Sequence, residues 1–404
     1  MSTQIERHQV VVVGARCAGA ATAMLLARAG HDVVLLDRSA FPSDTVSTHG
    51  IARGGVVQLS RWGLLDEVHE TGAPPVREVL FRYGDEQTVR QIKQRAGVDH
   101  LVGPRRYALD ALLQDAARSA GATLRTGVTV TGVRRHADGR VVGVDGHGPG
   151  GEPVAVEADV VVAADGVRSR MAGWLGAETL QSSPSRTGAF YTYVADVPLE
   201  TATPAYEFHV ARDAFAGIFP TNHGMACVWF IGPTRALAAL RSAGAGRAEA
   251  LLSAITAASP SLAARVRDGR IEEPVRASVD LPNIVRRPIG GPGAGWALVG
   301  DAGYHRDPIT GHGITDAFRD AELLANALDI ALRNPGDCAD EALAAYQTRR
   351  DLALRETFDL TRALSAFPRP ERFVELQIQL SDALEREAAD LAAQPAPLGT
   401  AAVA

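Results

Sequence analysis

The chain has 404 residues, 46% of them hydrophobic and 22% charged, with a formal net charge of −6. That length and apolar content suit two or three packed subdomains and exclude a disordered chain. The mild charge, with Lys93 the sole lysine, offers no basic stripe, so no nucleic-acid partner is expected.

No apolar run reaches the roughly 18 residues that a membrane span needs, so a cytoplasmic protein without a membrane span is expected. Cys17, Cys227 and Cys338 are odd in number and far apart. They suit neither a disulfide framework nor metal-ligand spacing, so no metal is expected and all three read as small buried hydrophobes.

In chain order, the first segment is also the most specific. His8 to Asp37 reads HQVVVVGARCAGAATAMLLARAGHDVVLLD. A β-branched run at 10–13 enters a turn at Gly14, a small-residue helix follows at 18–28, and a second apolar strand at 33–36 ends on Asp37. Each part suits a dinucleotide. Gly14 turns the chain, and Gly19 and Ala20 let the helix and strand backbones approach. The helix N-terminus offers free N–H groups to a pyrophosphate, and Asp37 reads a ribose hydroxyl. The unit departs from G-x-G-x-x-G where Arg16 stands for the middle glycine. An ordinary βαβ crossover is the competing reading of this segment alone.

A polar loop at 41–50 leads into a helical stretch at 51–70, with Leu59, Trp62 and Leu65 at helical spacing. Short strands are predicted within 76–94, an amphipathic helix at 104–120, and strands at 123–133, 140–144 and 154–164, the last ending on Asp165-Gly166. From about Gln181 strands alternate with turn residues, at 187–197 and 205–231, which predicts a meandering antiparallel sheet. A helix-rich stretch at 234–266 and strand-like residues to 289 follow. A short strand at 296–299 then ends on Gly300-Asp301, before a turn-rich loop and a helix at 314–332. Two more helices precede a Pro/Ala tail at 394–404 that is expected to be disordered. The expected fold is α/β. A Rossmann-like, doubly wound and discontinuous dinucleotide-binding domain takes 1–75, 100–183 and 286–368. An inserted antiparallel-sheet substrate domain takes 76–99 and 184–285, and 369–404 forms a C-terminal helix and tail.

The motifs Gly14 to Asp37, Ala164-Asp165-Gly166-Val167-Arg168-Ser169, and Gly300-Asp301-Ala302-Gly303-Tyr304-His305-Arg306-Asp307-Pro308 through Gly311-His312-Gly313 to Asp320-Ala321 run in order across nearly the whole chain. With them the chain resembles the class A FAD-dependent monooxygenases, the para-hydroxybenzoate hydroxylase-like flavoproteins. The resemblance implies FAD as cofactor. Its contacts would be Gly14, Ala15, Arg16, Ala18 and Gly19 in the first loop, and Asp37 and Arg38 at the adenosine ribose. Arg53 and Arg106 would serve the diphosphate, with Val130, Asp165, Gly166 and Gly300 nearby and Asp301 on the ribityl or pyrophosphate segment. Pro308, Gly311, His312, Gly313 and Ile314 would meet the isoalloxazine. Among these, Pro308, Gly311 and Gly313 are the candidate catalytic positions, Pro308 beside the reactive edge and the Gly311 to Gly313 backbone stabilising negative charge at the N1/O2 end. By residue type alone, Arg106 also reads as a helix-start charge and Asp165 as a cap for the next helix. His312 and Thr315 stand where the family usually carries Gln and Asn.

The implied reaction reduces FAD with NAD(P)H and, through a C4a-hydroperoxyflavin, transfers one atom of oxygen to hydroxylate or epoxidise a small-molecule substrate. A separate flavin reductase is the alternative electron source. Matching residues 204–221 to that family puts Phe208, Phe219 and Thr221 where those enzymes offer polar groups to a phenol and a carboxylate. A neutral, larger, aromatic substrate of specialised metabolism is therefore expected, with Tyr191, Tyr193 and Trp229 as further contacts. Each of these aromatics also reads as core. The loop Asp44-Thr45-Val46-Ser47-Thr48-His49, with Ile218-Phe219-Pro220, also resembles geranylgeranyl reductase-like flavoproteins, which reduce or dehydrogenate carbon–carbon bonds without inserting oxygen. Halogenation is set aside: the stretch Phe215-Ala216-Gly217-Ile218-Phe219-Pro220 lacks the Trp-x-Trp-x-Ile-Pro pattern, and Lys93 lies elsewhere. A non-catalytic flavin-binding protein is the reading from another class, separated by turnover of NAD(P)H.

Overall fold

The structure is a computed structural model in which residues 5–399 are described. It opens with β1 (Ile5–Val13), α1 (Cys17–Arg28) and β2 (Val33–Asp37). The first strand starts five residues before the apolar run because Ile5 to His8 pair with Ala155 to Ala158 of a parallel neighbour. The stretch at 51–70 is two helices, α2 (Arg53–Arg61) and α3 (Leu65–Glu70). Gly63, at φ 71°, ends the first of them.

Then come β3 (Glu78–Tyr83), β4 (Glu86–Gln91), α4 (Arg106–Ser119), β5 (Thr123–Thr126), β6 (Thr129–Arg135), β7 (Val141–His147), β8 (Pro153–Ala163) and α5 (Arg170–Leu175). The strand expected at 123–133 divides at Gly127, φ 73°. Next are β9 (Thr179–Ser183), β10 (Thr187–Ala195), β11 (Ala205–Ala211), β12 (Ala214–Pro220), β13 (Met225–Pro233), α6 (Ala238–Ser242), α7 (Arg247–Ala258) and α8 (Pro260–Asp268). The chain continues through β14 (Arg270–Ile271), β15 (Arg276–Ser278), β16 (Asn283–Arg286), β17 (Trp296–Leu298) and β18 (Tyr304–His305) to α9 (Gly313–Arg333), α10 (Asp337–Ser365) and α11 (Pro370–Ala392).

The first sheet runs β5-β2-β1-β8, with β17 beside the end of β8 and the β7–β6 hairpin beside its start. Its central strands are parallel and buried on both faces, which is why Val10 to Val13 read as an unbroken apolar run. Met24, Leu109 and Phe318, from α1, α4 and α9, pack in one core over this sheet. Three pieces of chain, widely spaced in sequence, thus build one doubly wound layer.

The second sheet runs β14-β10-β13-β12-β11-β3-β4, with β15 also on β10. It is antiparallel except where β3 joins β11 in parallel, a departure from the expected meander that arises because β3 arrives from a separate segment. Alternation sorts its side chains. Phe190, Val194, Ala216, Val228 and Phe230 face Leu251, Ile255 and Leu262 of α7 and α8. Tyr191, Tyr193, Phe215, Phe219 and Trp229 face the other way, toward Phe373, Leu376 and Leu380 of α11. A small sheet of β9, β16 and β18 stands where the chain crosses between the two larger ones.

The end of the chain is not loose as far as it is described. The Arg61 guanidinium donates to the carbonyls of Gln394 and Pro395 at 3.0 and 2.6 Å, and Leu398 packs on the first core. The expected disorder of the tail is thus corrected for 394–399; residues 400–404 lie outside the described residues. Among the described residues no helix is long and apolar enough to cross a membrane.

Candidate active site

The first loop depends on two glycines. Gly14 has φ 110°, and a Cβ there would stand 2.3 Å from the Ala164 carbonyl oxygen. A Cβ on Gly19 would stand 1.8 Å from the Gly14 carbonyl oxygen. No other residue fits either position. The Asp37 carboxylate faces this loop, accepting from the N–H groups of Ala15 and Ser39, both at 2.7 Å. Ala18 and Gly19 lie in the first turn of α1, and Arg38 is exposed just past β2. Val130, on β6, lies two residues beyond Val128, whose N–H donates to the Asp37 carbonyl.

Arg16 does not block the loop. Its guanidinium turns aside to Asp110 on α4, at 2.7 Å, and lies over the Phe41 ring at 5.2 Å. Arg106 binds the same fully buried carboxylate at 2.9 Å. Asp110 is therefore a hub that the sequence reading missed; the available signal was its i,i+4 spacing from Arg106. Burial pushes the Cys17 thiol far up, with Asp110 adding to the effect against the pull of Arg106.

The third motif abuts the first: a Cβ on Gly300 would stand 2.7 Å from Ala18 Cβ. Asp301 opens a short turn there. Burial pushes its carboxyl up, while His305 and Arg106 pull it down, and no hydrogen bond of that carboxylate is found among the described residues. Asp165 caps α5, accepting from the Ser169 hydroxyl at 2.5 Å and the Met171 N–H at 3.0 Å. Gly166, beside it, has φ 83°.

Pro308 starts a one-turn helix whose cap is Asp307. At Gly311, φ 61°, and at Gly313 an added Cβ would meet nothing within 4 Å. This open backbone precedes the 21-residue helix α9, whose N-terminal N–H groups favour negative charge. Ile314 is buried in its first turn.

His312 points away from that open face, to Glu387 on α11 at 2.9 Å. Glu387 also holds Arg319 at 2.7 Å, Arg319 reaches Asp316 at 3.0 Å, and Arg306 pairs with Asp316 at 2.7 Å. Burial resists ionisation of Glu387, but His312 and Arg319 outweigh it and hold the carboxyl well below the usual carboxylate range. Burial pushes neighbouring Asp320 up to about 6. His312, Asp316 and Glu387 could together offer ligand atoms to a metal ion, yet Arg306 and Arg319 already stand as cations on those carboxylates. Arg53, expected at the diphosphate, is committed to α11 as well, donating to Glu385 at 2.8 Å and to the Val98 carbonyl at 3.0 Å.

A cavity of about 670 Å³ opens beside Pro308 to Gly311, between the aromatic face of the second sheet and α11. Phe208, Phe219 and Trp229 stand in its wall, as does Phe215; the rings of Phe215 and Phe219 lie 4.9 and 5.3 Å from that of Trp229. Tyr191, Tyr193 and Thr221 are not in that wall. The Tyr191 hydroxyl accepts from the Ser47 N–H at 2.9 Å, and the Thr221 hydroxyl donates to the Gly103 carbonyl at 2.7 Å. Tyr193 stacks on His49 at 5.6 Å and carries the Arg105 guanidinium 3.7 Å above its ring. Burial pushes His49 down to about 3, which leaves it neutral. The cavity is also less neutral than residues 185–232 imply, because Arg90, Lys93 and Arg95 and, from α11, Asp382 and Glu385 join the wall.

The frame fits an elongated anionic dinucleotide. Two glycines let α1 approach β1, Asp301 keeps an uncommitted carboxylate near Arg106, and the Gly311 to Gly313 backbone is open. A family model described as an FAD binding domain matches residues 7–259. The chain is similar to the digeranylgeranylglycerophospholipid reductase of Methanocella arvoryzae, at 26% identity over 87% of this chain and 85% of the relative. Among solved structures it is similar to the flavin-dependent brominase Bmp2, with a TM-score of 0.79 and 18% identity over 95% of this chain and 93% of the other. It is also similar to PqsL of Pseudomonas aeruginosa, a probable FAD-dependent monooxygenase, with a TM-score of 0.70 and 21% identity over 92% of this chain and 100% of the other. At those identities the structural likeness is one of fold.

Proposed function

The chain belongs to the FAD-binding domain family and is an FAD-dependent oxidoreductase, and on that premise we propose that it is a monooxygenase that hydroxylates or epoxidises a bulky aromatic molecule. The reading rests on one observation, the aromatic cavity of about 670 Å³ that opens beside Pro308 to Gly311. FAD bound in this frame supplies the redox chemistry, with electrons from NAD(P)H or a separate flavin reductase. The chain does the rest. Asp37 and the α1 N-terminus hold the adenosine and diphosphate end, and Asp301, near Arg106, holds the middle. The N–H groups of His312 and Gly313 stabilise negative charge at the far end, while that of Gly311 closes the preceding turn on the Pro308 carbonyl. Phe208, Phe215, Phe219 and Trp229 exclude water and orient the substrate ring.

A second reading, reduction or dehydrogenation of a carbon–carbon bond without oxygen insertion, is favoured by the relative named a reductase, which matches over 85% of its own length. The experiment is turnover of NADPH with a panel of polycyclic aromatic metabolites under ¹⁸O₂, with product mass as the readout. Gain of one labelled oxygen supports the monooxygenase. A product differing by two hydrogens, formed without oxygen, moves the assignment to the reductase.

A further inference from the structure

Around the cavity, four cations, Arg53, Arg90, Lys93 and Arg95, stand against two carboxylates, Asp382 and Glu385. The cations are not equivalent. Arg53 and Arg95 share one carboxylate, Glu385, at 2.8 and 3.6 Å, and are thereby partly compensated. Arg90 and Lys93 are exposed, and neither has a carboxylate ion-pair partner among the described residues. Arg90 lies over the Phe81 ring, at 5.9 Å, which belongs to the same wall. Lys93 is the sole lysine of the chain. Two unpaired cations thus edge a cavity whose other end is aromatic and adjoins the open Gly311 backbone.

From this arrangement we infer that the ligand of the cavity is an amphiphile, with an apolar aromatic body among Phe208, Phe219 and Trp229 and a single anionic group held by Arg90 and Lys93. The inference deepens the function proposed above and rests on its choice of cavity. A neutral ligand would leave both cations solvated and contribute nothing through them. A carboxylate or phosphate gains a charge-assisted contact, bidentate with the guanidinium of Arg90. Because both cations are exposed, the attraction is screened by salt, which makes ionic strength a diagnostic.

The test uses the FAD-loaded protein in its oxidised state, without NADPH or turnover, and reads the fluorescence of 1-pyrenebutyrate, its methyl ester and 4-(1-pyrenyl)butyl phosphate. At low salt the two anions should bind about ten-fold tighter than the ester, and the preference should collapse on raising salt. The double variant Arg90→Ala with Lys93→Ala should bind all three alike. Tighter binding of the phosphate than of the carboxylate would identify the anion as a phosphate, and the reverse as a carboxylate. An amine-acylating reagent should also modify Lys93, read by peptide mass, and 1-pyrenebutyrate should protect it while the ester at equal occupancy does not. Equal binding of acid and ester by the wild-type protein, a preference that survives in the double variant, or no binding of any probe overturns the inference. None of these outcomes depends on whether oxygen is inserted, so failure of the monooxygenase reading is seen separately in the labelling experiment.

Discussion

Replacing Glu387 with alanine should destabilise the flavin end of the protein from a helix that lies more than sixty residues further along the chain. The Glu387 side chain is 10% exposed and holds His312 at 2.9 Å and Arg319 at 2.7 Å. In Glu387→Ala the His312 imidazole loses its partner inside the protein, whereas Arg319 keeps Asp316 and Asp320. Removing one member of a buried ion pair costs about 3–5 kcal/mol. With Arg319 still paired, the lower end is expected, about 3 kcal/mol. Urea unfolding of the FAD-loaded protein, followed by tryptophan emission and by release of flavin fluorescence, measures it. Glu387→Gln keeps the size and one hydrogen bond and should lose less. The pH dependence has a definite sign. This carboxyl sits below its ordinary value of 4.5 in the folded protein. It therefore contributes stability in full above that pH, and the contribution fades as the pH falls. The advantage of wild type over Glu387→Gln should accordingly shrink below about pH 4.5. A Glu387→Ala protein within about 1 kcal/mol of wild type, with unchanged flavin retention, would refute the reasoning, since a buried pair of this kind cannot be that cheap to break.

Asp301→Ala should weaken FAD binding by roughly 1.5–3 kcal/mol, the worth of a charge-assisted hydrogen bond, in a flavin fluorescence titration; unchanged affinity would remove Asp301 from the cofactor site. Gly14→Ala should yield protein without yellow colour, because the Cβ would stand 2.3 Å from the Ala164 carbonyl oxygen, and a normally flavinated Gly14→Ala protein would contradict that packing. Phe219→Ala, which removes a whole ring, should shift which aromatic substrate best stimulates NADPH oxidation by at least the discrimination that one methylene gives in an apolar pocket, about 1–3 kcal/mol. Cys338 is exposed near the start of α10, not buried as expected from sequence, so in a thiol titration with a disulfide reagent it should react in the native protein, while buried Cys17 and Cys227 should react only after unfolding.

Much of the fold is local in origin and so was readable. The βαβ unit follows from a β-branched run, Gly14 and Gly19, because backbone sterics act over a few residues. The strand signals across 205–231 announce an antiparallel sheet, and the structure sets Phe215 and Phe219 on the face against α11, and Ala216 and Ile218 on the face against α7 and α8. Two element breaks were also local, each lying at a glycine, Gly63 or Gly127, with positive φ, whereas the early start of β1 came from pairing with β8.

The sequence by itself determined the doubly wound α/β layer, the order of the three motifs and the flavin family, since these rest on periodicity, turn chemistry and close backbone approach. Only the tertiary structure decided what surrounds the cavity. The pairing of Tyr206 with Val79 in β3 carries the segment bearing Arg90 and Lys93 to the mouth. The packing of α11 on the second sheet supplies the opposite wall. Tyr191 and Tyr193 share a sheet face with Trp229, and Tyr191 is its direct register partner, but they fall outside the cavity because they lie on β10, one strand beyond β13, so place across the sheet as well as parity sets what a side chain meets. Arg53 met Glu385, and His312 met Glu387, across distances in sequence over which local propensity carries no information. A charged side chain takes whichever partner the fold brings within reach, so these roles were fixed only when the helices packed.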